Sequence, residues 1–566
     1  MLSVCVEGDG MTVDTVPAEL EAAREQAETN AGVARATGVM ALGNIASRVL
    51  GLAREMALTN LFGASGAVDA LNVAIIVPKN VYDLLIGGHV NSALVPVLSE
   101  VAARDGRQAL WQLASVLFSL VTVVLSLLVL LLELFAPQVV QLVGSGFDPA
   151  TLALATVLLR LTVPALIFLS LFAVLSGTLY ALREFTWPAF AGAVFNGSIV
   201  LVTVLLAPPL QITPAGYTLT LARPSEGIIA ATLGWLVGSL AQLALQFPGM
   251  KGARLRLTLN WRHPALRQIA RLYAPVMFSL IMDTLVIRTF SYNLASRTGE
   301  GSIGYMNWAT TLIQFPHGLV ATAISIAILP TLSRQAALTN EQGSKAFKDT
   351  LGLGMRLAIT LILPATFGLF MLATPIIQLL FQHGAFNAYD TSITALALRL
   401  YLLGLPFAAL DLLLVYAFYA RQDTLTPALV GLLSLTIYMV IAIALLPYYG
   451  LFSLMLADSA KHIVHASVSA YLLARRMGGF GQQRFIVTAG KTGLAALAMA
   501  ATAGVVTPAL SCWLDVGNLL GEILLVALSG GLSVAVFLLL ASALNIEELR
   551  WLAGLMKKRL KRSVEP

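Results

Sequence analysis

Cysteine is almost missing from this chain: only Cys5 and Cys512 occur in 566 residues. That excludes a disulfide framework and the spacing of a zinc site. Charge is scarce too. Asp, Glu, Lys and Arg make up 11% of the residues, where an ordinary soluble domain carries about 25%. No HExxH zinc pattern occurs, and nothing assembles into a nucleophile triad, so an enzyme is not expected. Gly490-Lys491-Thr492 imitates the end of a phosphate-binding loop, but Phe485 stands where that loop needs glycine and no strand precedes it. Residues 1–36 hold Glu7, Asp9, Asp14, Glu19, Glu21, Glu25 and Glu28 without a basic start or an apolar run. A signal peptide is therefore not expected there. The stretch reads as a disordered acidic cytoplasmic tail, or as the product of a start codon assigned upstream of Met40.

What the chain has instead is apolar length. Hydrophobic residues make up 58% of it, and its mean hydropathy is +0.83. Runs near 37–60, 68–98, 109–136, 152–180, 187–208, 226–247, 268–296, 303–332, 350–380, 391–419, 426–447, 451–474, 486–509 and 518–544 are membrane-length, about fourteen helices of an all-α polytopic protein. Pro78, Pro164, Pro316 and Pro406 predict kinks, which helices lining a cavity tolerate. The net charge of +6 needs no nucleic acid partner, because cytoplasmic loops of membrane proteins collect Lys and Arg. With the N-terminus inside, Arg104, Arg107, Arg183, Lys251, Arg254, Arg256, Arg262, Arg267, Arg334, Lys345, Lys348, Arg421, Arg475, Arg476 and Arg484 all fall on the cytoplasmic face. The outer loops hold little beyond Arg223 and Arg297. Both termini are expected inside, in a bacterial cytoplasmic membrane, with Cys5 and Cys512 on opposite faces. The tail's Lys557, Lys558, Arg559, Lys561 and Arg562 would meet anionic lipid.

The chain also repeats. LYALREFTWPA at 179–189 resembles FYARQDTLTPA at 418–428, and VPVLSEVAA at 95–103 resembles LPTLSRQAA at 329–337. Gly146-Phe147 maps onto Ala385-Phe386, and Leu159-Arg160-Leu161 onto Leu398-Arg399-Leu400, at nearly one offset. Two six-helix copies with the same orientation follow: a parallel repeat that places two lobes around a central site. The boundaries are an N-lobe at 37–247, a basic cytoplasmic linker at 248–267, a C-lobe at 268–475, two added helices over 486–544 and a basic tail at 545–566.

Residues 46–100 hold Arg48, Arg54, Glu55, Asp69, Lys79 and Asp83 within membrane-length segments. One charge near the bilayer centre costs about 2.5–3.5 kcal/mol on the lenient insertion scale, so such a group needs water, partners or an anionic ligand. In the second copy Asp283, Arg288 and Asp411 stand out, with Asp458, Lys461, His462 and His465. The last four could relay protons, since histidine titrates near neutrality, or could pack within the bundle. Arg160 and Arg399, as repeat equivalents, fit packing or snorkelling.

SRVLGLARE at 47–55, LFGASGAVDA at 61–70, NSALVPVL at 91–98, FPHGLVATAISIAILPTLSR at 315–334, LFQHGAFNAYDT at 380–391 and FYARQDTLTP at 418–427 occur in order. Together they resemble the MurJ (MviN) family of lipid II flippases in the MOP superfamily. The resemblance implies two lobes in a V with two further helices forming a lipid-facing groove. It implies export of an undecaprenyl-linked peptidoglycan precursor. Family arginines match Arg48 and Arg54, and the family's acidic residue on the second helix matches Asp69. Two other family arginines are replaced, by Tyr82 and by Thr311, and Asp83 stands at a third. Lys79, one turn before Tyr82, returns a positive charge as a point ammonium, without arginine's planar fork.

That resemblance frames the charges. Arginine suits a diphosphate through paired charge-assisted hydrogen bonds, so Arg48, Arg54 and Lys79 are candidate headgroup ligands, with Asp69 and Glu55 orienting them and Tyr82 and Thr311 on the same wall. Alternatively, Arg54, Glu55 and Asp69 form an ion-pair set that closes the lobes and never touches cargo. Arg288 falls where some members place an acidic sodium ligand, so a guanidinium beside Asp411 could replace a bound cation. A structural ion pair is the other possibility. No cofactor or metal is expected; membrane potential, H+ or Na+ are candidate driving forces, with Na+ the least favoured. Expected partners are membrane lipids, the lipid-linked precursor and other cell-wall synthesis proteins. Two rival functions stay open: a MATE-like ion-coupled exporter, and a diverged non-transporting scaffold.

Overall fold

The computed structural model describes residues 18–85, 90–207, 211–212, 219–220, 227–250, 286–338 and 340–551, with scattered positions between 252 and 269 and residue 554. Asp283 and the 557–562 tail lie outside these residues, as does the side chain of Asp83. The N-lobe comprises α1 (Ala18–Phe62), α2 (Gly66–Leu85), α3 (Val90–Arg104), α4 (Gly106–Leu134), α5 (Ala136–Val143), α6 (Pro149–Thr162), α7 (Ala165–Ala181), α8 (Thr186–Leu206) and α9 (Ile228–Ala244). Between α8 and α9 a two-residue antiparallel ribbon, β1 (Gln211–Ile212) and β2 (Leu219–Thr220), pairs Gln211 with Thr220 and Ile212 with Leu219. The C-lobe comprises α10 (Arg288–Ala295), α11 (Ser302–Pro316), a π-turn (His317–Ala321), α12 (Thr322–Ala336), α13 (Glu341–Met371), α14 (Ala373–Phe381), α15 (Ala388–Leu402), α16 (Leu405–Ala420), α17 (Leu425–Tyr449) and α18 (Phe452–Met477). Then follow α19 (Phe485–Ser511) and α20 (Leu519–Ala543).

Nine described helical segments are long and apolar enough to cross a membrane, or ten if α15 and α16, bent by 42° at their junction, count as one span. The expected spans at 37–60, 68–98 and 451–474 are not among them. The 268–296 span lies largely outside the described residues. The acidic segment, expected as a disordered tail, is helical from Ala18. Its Ala, Glu, Gln and Arg are among the stronger helix formers. Proline places the breaks. Pro164 separates α6 from α7, Pro406 opens α16 at the bend, and Pro316 immediately precedes the π-turn. Proline removes a helix hydrogen bond and crowds the preceding turn, so helices kink or change winding there.

The repeat holds down to single dihedrals. Arg183 ends α7 at φ 61° and Gln422 ends α16 at φ 60°. Glu184 N–H donates to the Leu179 carbonyl at 2.9 Å, and Asp423 N–H to that of Phe418 at 3.0 Å. Both turns are the same left-handed helix stop, built in two lobes from unrelated residues.

Within the N-lobe α8 packs between α1 and α9; within the C-lobe α17 packs on α18, and α19 and α20 pair against α13. The added helices are tied to the C-lobe at both ends: Gln378 donates to Glu522 at 3.2 Å, and Arg356 pairs with Glu548 at 2.6 Å. In the linker, Arg256 N–H reaches Ser115 Oγ at 3.1 Å and Thr258 N–H reaches Ser119 Oγ at 2.9 Å. Hydroxyls one turn apart on α4 thus satisfy backbone donors that no strand partner would. One buried core runs through both lobes, and its floor at the inter-lobe contact is aromatic. Trp308 meets Phe386 edge-on at 5.2 Å, and Tyr305 donates to Asp390 at 2.6 Å.

Candidate functional site

The lobes meet where α1 and α2 of one face α11 and the π-turn of the other. Arg54 on α1 is engaged on every side. Its Nη2 and Nε reach Glu55 Oε1 at 2.5 and 3.2 Å, and its Nη1 donates to Asn196 Oδ1 at 3.0 Å. The guanidinium also lies 5.8 Å from the centre of the Trp235 ring, which Phe195 meets edge-on at 5.0 Å. Asn196 on α8 is fixed in turn, donating to the Gly192 and Ser47 carbonyls at 2.9 and 3.3 Å. Arg54 is therefore a positioned fork, with a carboxylate neighbour that offsets its charge in the low dielectric.

Arg48, two turns earlier, is placed differently. Its guanidinium crosses to the C-lobe and lies against Gly318 of the π-turn, so close that a Cβ there would come within 2.9 Å of Nη2. Arg48 Nε is buried without a hydrogen-bond partner among the described residues. An arginine nitrogen in that state is an open donor at the lobe interface, of the kind an oxyanion satisfies.

Asp69 sits at one end of the cleft, wholly buried, where its Oδ1 accepts from Gly304 N–H of α11 at 2.9 Å. A carboxylate from one lobe thus caps the first turn of a helix in the other, where the free N–H groups and the helix dipole favour an anion. Backbone contacts extend this closure. Ala385 N–H donates to the Asn60 carbonyl at 2.9 Å, Gly146 N–H to Ser296 Oγ at 3.0 Å, and Asn293 to the Leu142 carbonyl at 2.6 Å. Gly384, at φ 60°, abuts Asn60 with no room for a side chain, and Gly301, at φ 77°, abuts Ala64. The α1–α2 turn meets the α14–α15 turn, and the α10–α11 turn meets the α5–α6 turn. Repeat-related turns therefore cross-pair into a latch that shuts this end of the cleft.

The other expected residues are spread along the walls. Lys79 and Tyr82 are half-buried on α2, and Thr311 donates to the Asn307 carbonyl of its own helix at 2.9 Å. Arg288 is exposed at the start of α10. Among the described residues Asp411 on α16 makes an ion pair with His465 on α18. Arg160 pairs with Glu133 at 4.0 Å, while Arg399 donates to the Phe370 carbonyl at 3.1 Å. Gly490, Lys491 and Thr492 lie inside α19. Sequence inspection passed over Asn196 and Trp235. A lone asparagine in the apolar α8 was the available signal, but its partner stands 142 positions earlier in the chain.

Two repeated helical lobes, latched together at one end with part-buried arginines on α1, define a polytopic membrane protein with the fold of the MOP superfamily. A solved multidrug resistance MATE transporter of that superfamily, inward-facing, superposes with TM-score 0.60 at 15% identity, over 77% of this chain and 96% of that one. A solved lipid II flippase MurJ in an inward closed conformation superposes with TM-score 0.71 at 24% identity, over 89% and 98%. The family model described as lipid II flippase MurJ matches residues 58–524. The lipid II flippase MurJ of Burkholderia cenocepacia is 31% identical over 396 residues, 68% of this chain and 73% of the relative. The probable lipid II flippase MurJ of Haemophilus influenzae is 29% identical over 500 residues, 82% and 91%. The chain belongs to the MurJ family of lipid II flippases.

Proposed function

We propose that this protein moves a polyprenyl-diphosphate-linked cell-wall precursor, lipid II by family, from the inner to the outer leaflet of the bacterial cytoplasmic membrane by alternating access. One observation carries the assignment to this cleft: Arg48 spans the lobe interface with a buried donor left open, two turns from an Arg54 fork held by Asn196 and Trp235. A diphosphate entering the cleft would satisfy the Arg48 donor and compete with Glu55 for Arg54, with Lys79 adding a point charge. Tyr82 and Thr311 then leave the wall less basic than in most of the family, so the headgroup relies more on Arg48 and Arg54.

The Lys- and Arg-rich loops favour a cytoplasmic position for the opposite end of the bundle and an outer position for the Asp69 latch. The described conformation is then sealed outward, ready to load from the inner leaflet. Asp69 and Glu55 act as latch and counter-ion rather than as ligands. Membrane potential or H+ supplies the direction, and other cell-wall synthesis proteins are the natural suppliers of cargo. Complementation of a strain depleted of its lipid II flippase tests this. Growth is expected from the wild-type chain and lost with Arg48→Glu plus Arg54→Glu. Rescue from drug sensitivity without rescue of growth would favour a MATE-like exporter.

A further inference from the structure

The basic end of the N-lobe holds a corner that neither the lobe contact nor the latch uses. The chain turns there between α7 and α8. Glu184, Thr186 and Trp187 of that turn enclose a cavity of about 590 Å³ with Arg107 at the start of α4 and with Pro248 and Gly249 just after α9. Small-ligand sites have roughly 300–1,000 Å³. Gly249 makes room for the Trp187 ring, since a Cβ there would come within 2.6 Å of Trp187 Cδ1. One turn beyond Arg107 on α4, Trp111 belongs to the buried cluster on which Leu182 and Trp187 pack. Its Nε1 is buried without a hydrogen-bond partner among the described residues. A buried indole N–H ordinarily finds an acceptor, so an open donor lies beside the cavity.

The internal repeat shows what the corner lacks. Glu184 is the repeat equivalent of Asp423, and Trp187 of Thr426. In the C-lobe the chain's own Arg476 fills this position: it pairs with Asp423, donates to Thr426 Oγ1 at 2.9 Å and lies 5.7 Å from the centre of the Phe418 ring. In the N-lobe the Glu184 carboxylate has no hydrogen bond or ion pair among the described residues. A carboxylate beside an indole is a seat for an ammonium group. Arg107 on the facing wall marks a place for an anion. A guanidinium has five donors, so it can take a phosphate while keeping a protein partner. The corner therefore suits a ligand that carries both charges.

The outer face of α9 says where such a ligand comes from. Val237, Leu240, Ala244 and Phe247 recur at helical spacing and are all exposed, an apolar stripe that ends beside Pro248 at the cavity. Ten helical residues rise about 15 Å, half of the roughly 30 Å hydrocarbon core and so the depth of one leaflet. We propose that the corner seats a phospholipid with a phosphoethanolamine headgroup: phosphate on Arg107, ammonium on Glu184 against the Trp187 face, and acyl chains along the α9 stripe. This goes beyond the cargo reading and does not depend on it. A choline headgroup has no N–H to give Glu184, and a phosphoglycerol has no cation. The bound lipid joins the α3–α4 turn, the α7–α8 turn and the end of α9.

The full chain in detergent is titrated, by native mass spectrometry, with phospholipids of one acyl composition and an ethanolamine, choline or glycerol headgroup. The first ethanolamine lipid is expected to bind about tenfold or more tighter than either other, as one charge-assisted hydrogen bond implies. Glu184 and Arg107 are exposed, so both can be changed without opening the core. E184Q should remove the preference, and R107Q should weaken all three lipids alike, about fivefold or more. Glycerophosphoethanolamine, the headgroup without chains, should compete about a hundredfold less well than the lipid. Equal competition would make a free metabolite the occupant and overturn the lipid assignment. A glycerol lipid that binds tightest and ignores E184Q would overturn it in favour of an anionic lipid. Amide exchange decides alone if the variants do not fold: residues 182–187 and 247–250 of the wild-type chain should exchange about fivefold or more slower in nanodiscs of ethanolamine lipid than of choline lipid. Equal exchange in the two overturns the proposal, whatever the cargo.

Discussion

At the scale of single residues, Asn196 shows how a polar side chain in an apolar helix is used. Its carboxamide joins α8 to Arg54, and Asn196→Ala leaves a part-buried guanidinium donor unmatched. A hydrogen bond to a charged group is worth about 1.5–3 kcal/mol, so a fall of that size in unfolding free energy is expected in detergent. Asn196→Asp replaces the bond by a second carboxylate on Arg54. It should keep the stability but lower the apparent affinity for cargo, which equilibrium binding of a labelled polyprenyl diphosphate would read. Gln422 holds a left-handed conformation that glycine adopts freely. Gln422→Gly should therefore raise stability by about 0.5–1 kcal/mol, seen as a higher melting temperature.

Asp423, in the same loop, is pushed up by burial but pulled further down by the Thr426 hydroxyl and N–H and by Arg476, to a pKa of about 2. A depressed carboxyl stabilises above its unfolded value and loses that contribution only as pH falls through the folded one. Asp423→Asn should thus lower the melting temperature by the same amount at pH 5 and at pH 8. These roles were only partly legible in the sequence. A charge in a span announces itself, but its partner lies on another helix, and nothing along the chain points from Asp411 to His465.

At the scale of elements, apolar length and proline positions located most spans and breaks, since both are local properties. The latch was not legible, because its partners come from turns far apart in the chain and their registration is set by lobe docking. Asp69 on α2 lies against Gly304 of α11 across the lobe contact. Gly384 and Gly301 carry the tightest approaches, at positive φ and against backbone. Ala in either place adds a steric clash and about 1–2 kcal/mol of left-handed strain. Gly384→Ala should hence unlatch this end of the lobe contact. Accessibility of a cysteine placed at Ala64 to an impermeant thiol reagent is expected to rise, with helix content unchanged.

At the scale of the molecule, the repeat explains why two lobes exist and how they close. Equivalent turns are built twice, and each copy finds the other's turn at the latch. The asymmetry lies in the chemistry, with cleft arginines on the N-lobe and a histidine–carboxylate cluster on the C-lobe. Function needs both lobes, since cargo held by one wall moves only if the two walls exchange which end is open. The central claim is that Arg48 and Arg54 hold the headgroup while it crosses. Its most direct test is outer-leaflet exposure of the lipid-linked precursor in cells depleted of their own flippase, read by cleavage with an added enzyme that cannot enter. Cells making the wild-type chain should expose the precursor, whereas an equal amount of the Arg48→Glu, Arg54→Glu chain should expose about a tenth as much or less, as loss of two charge-assisted contacts implies. Undiminished exposure from the double variant would contradict the account.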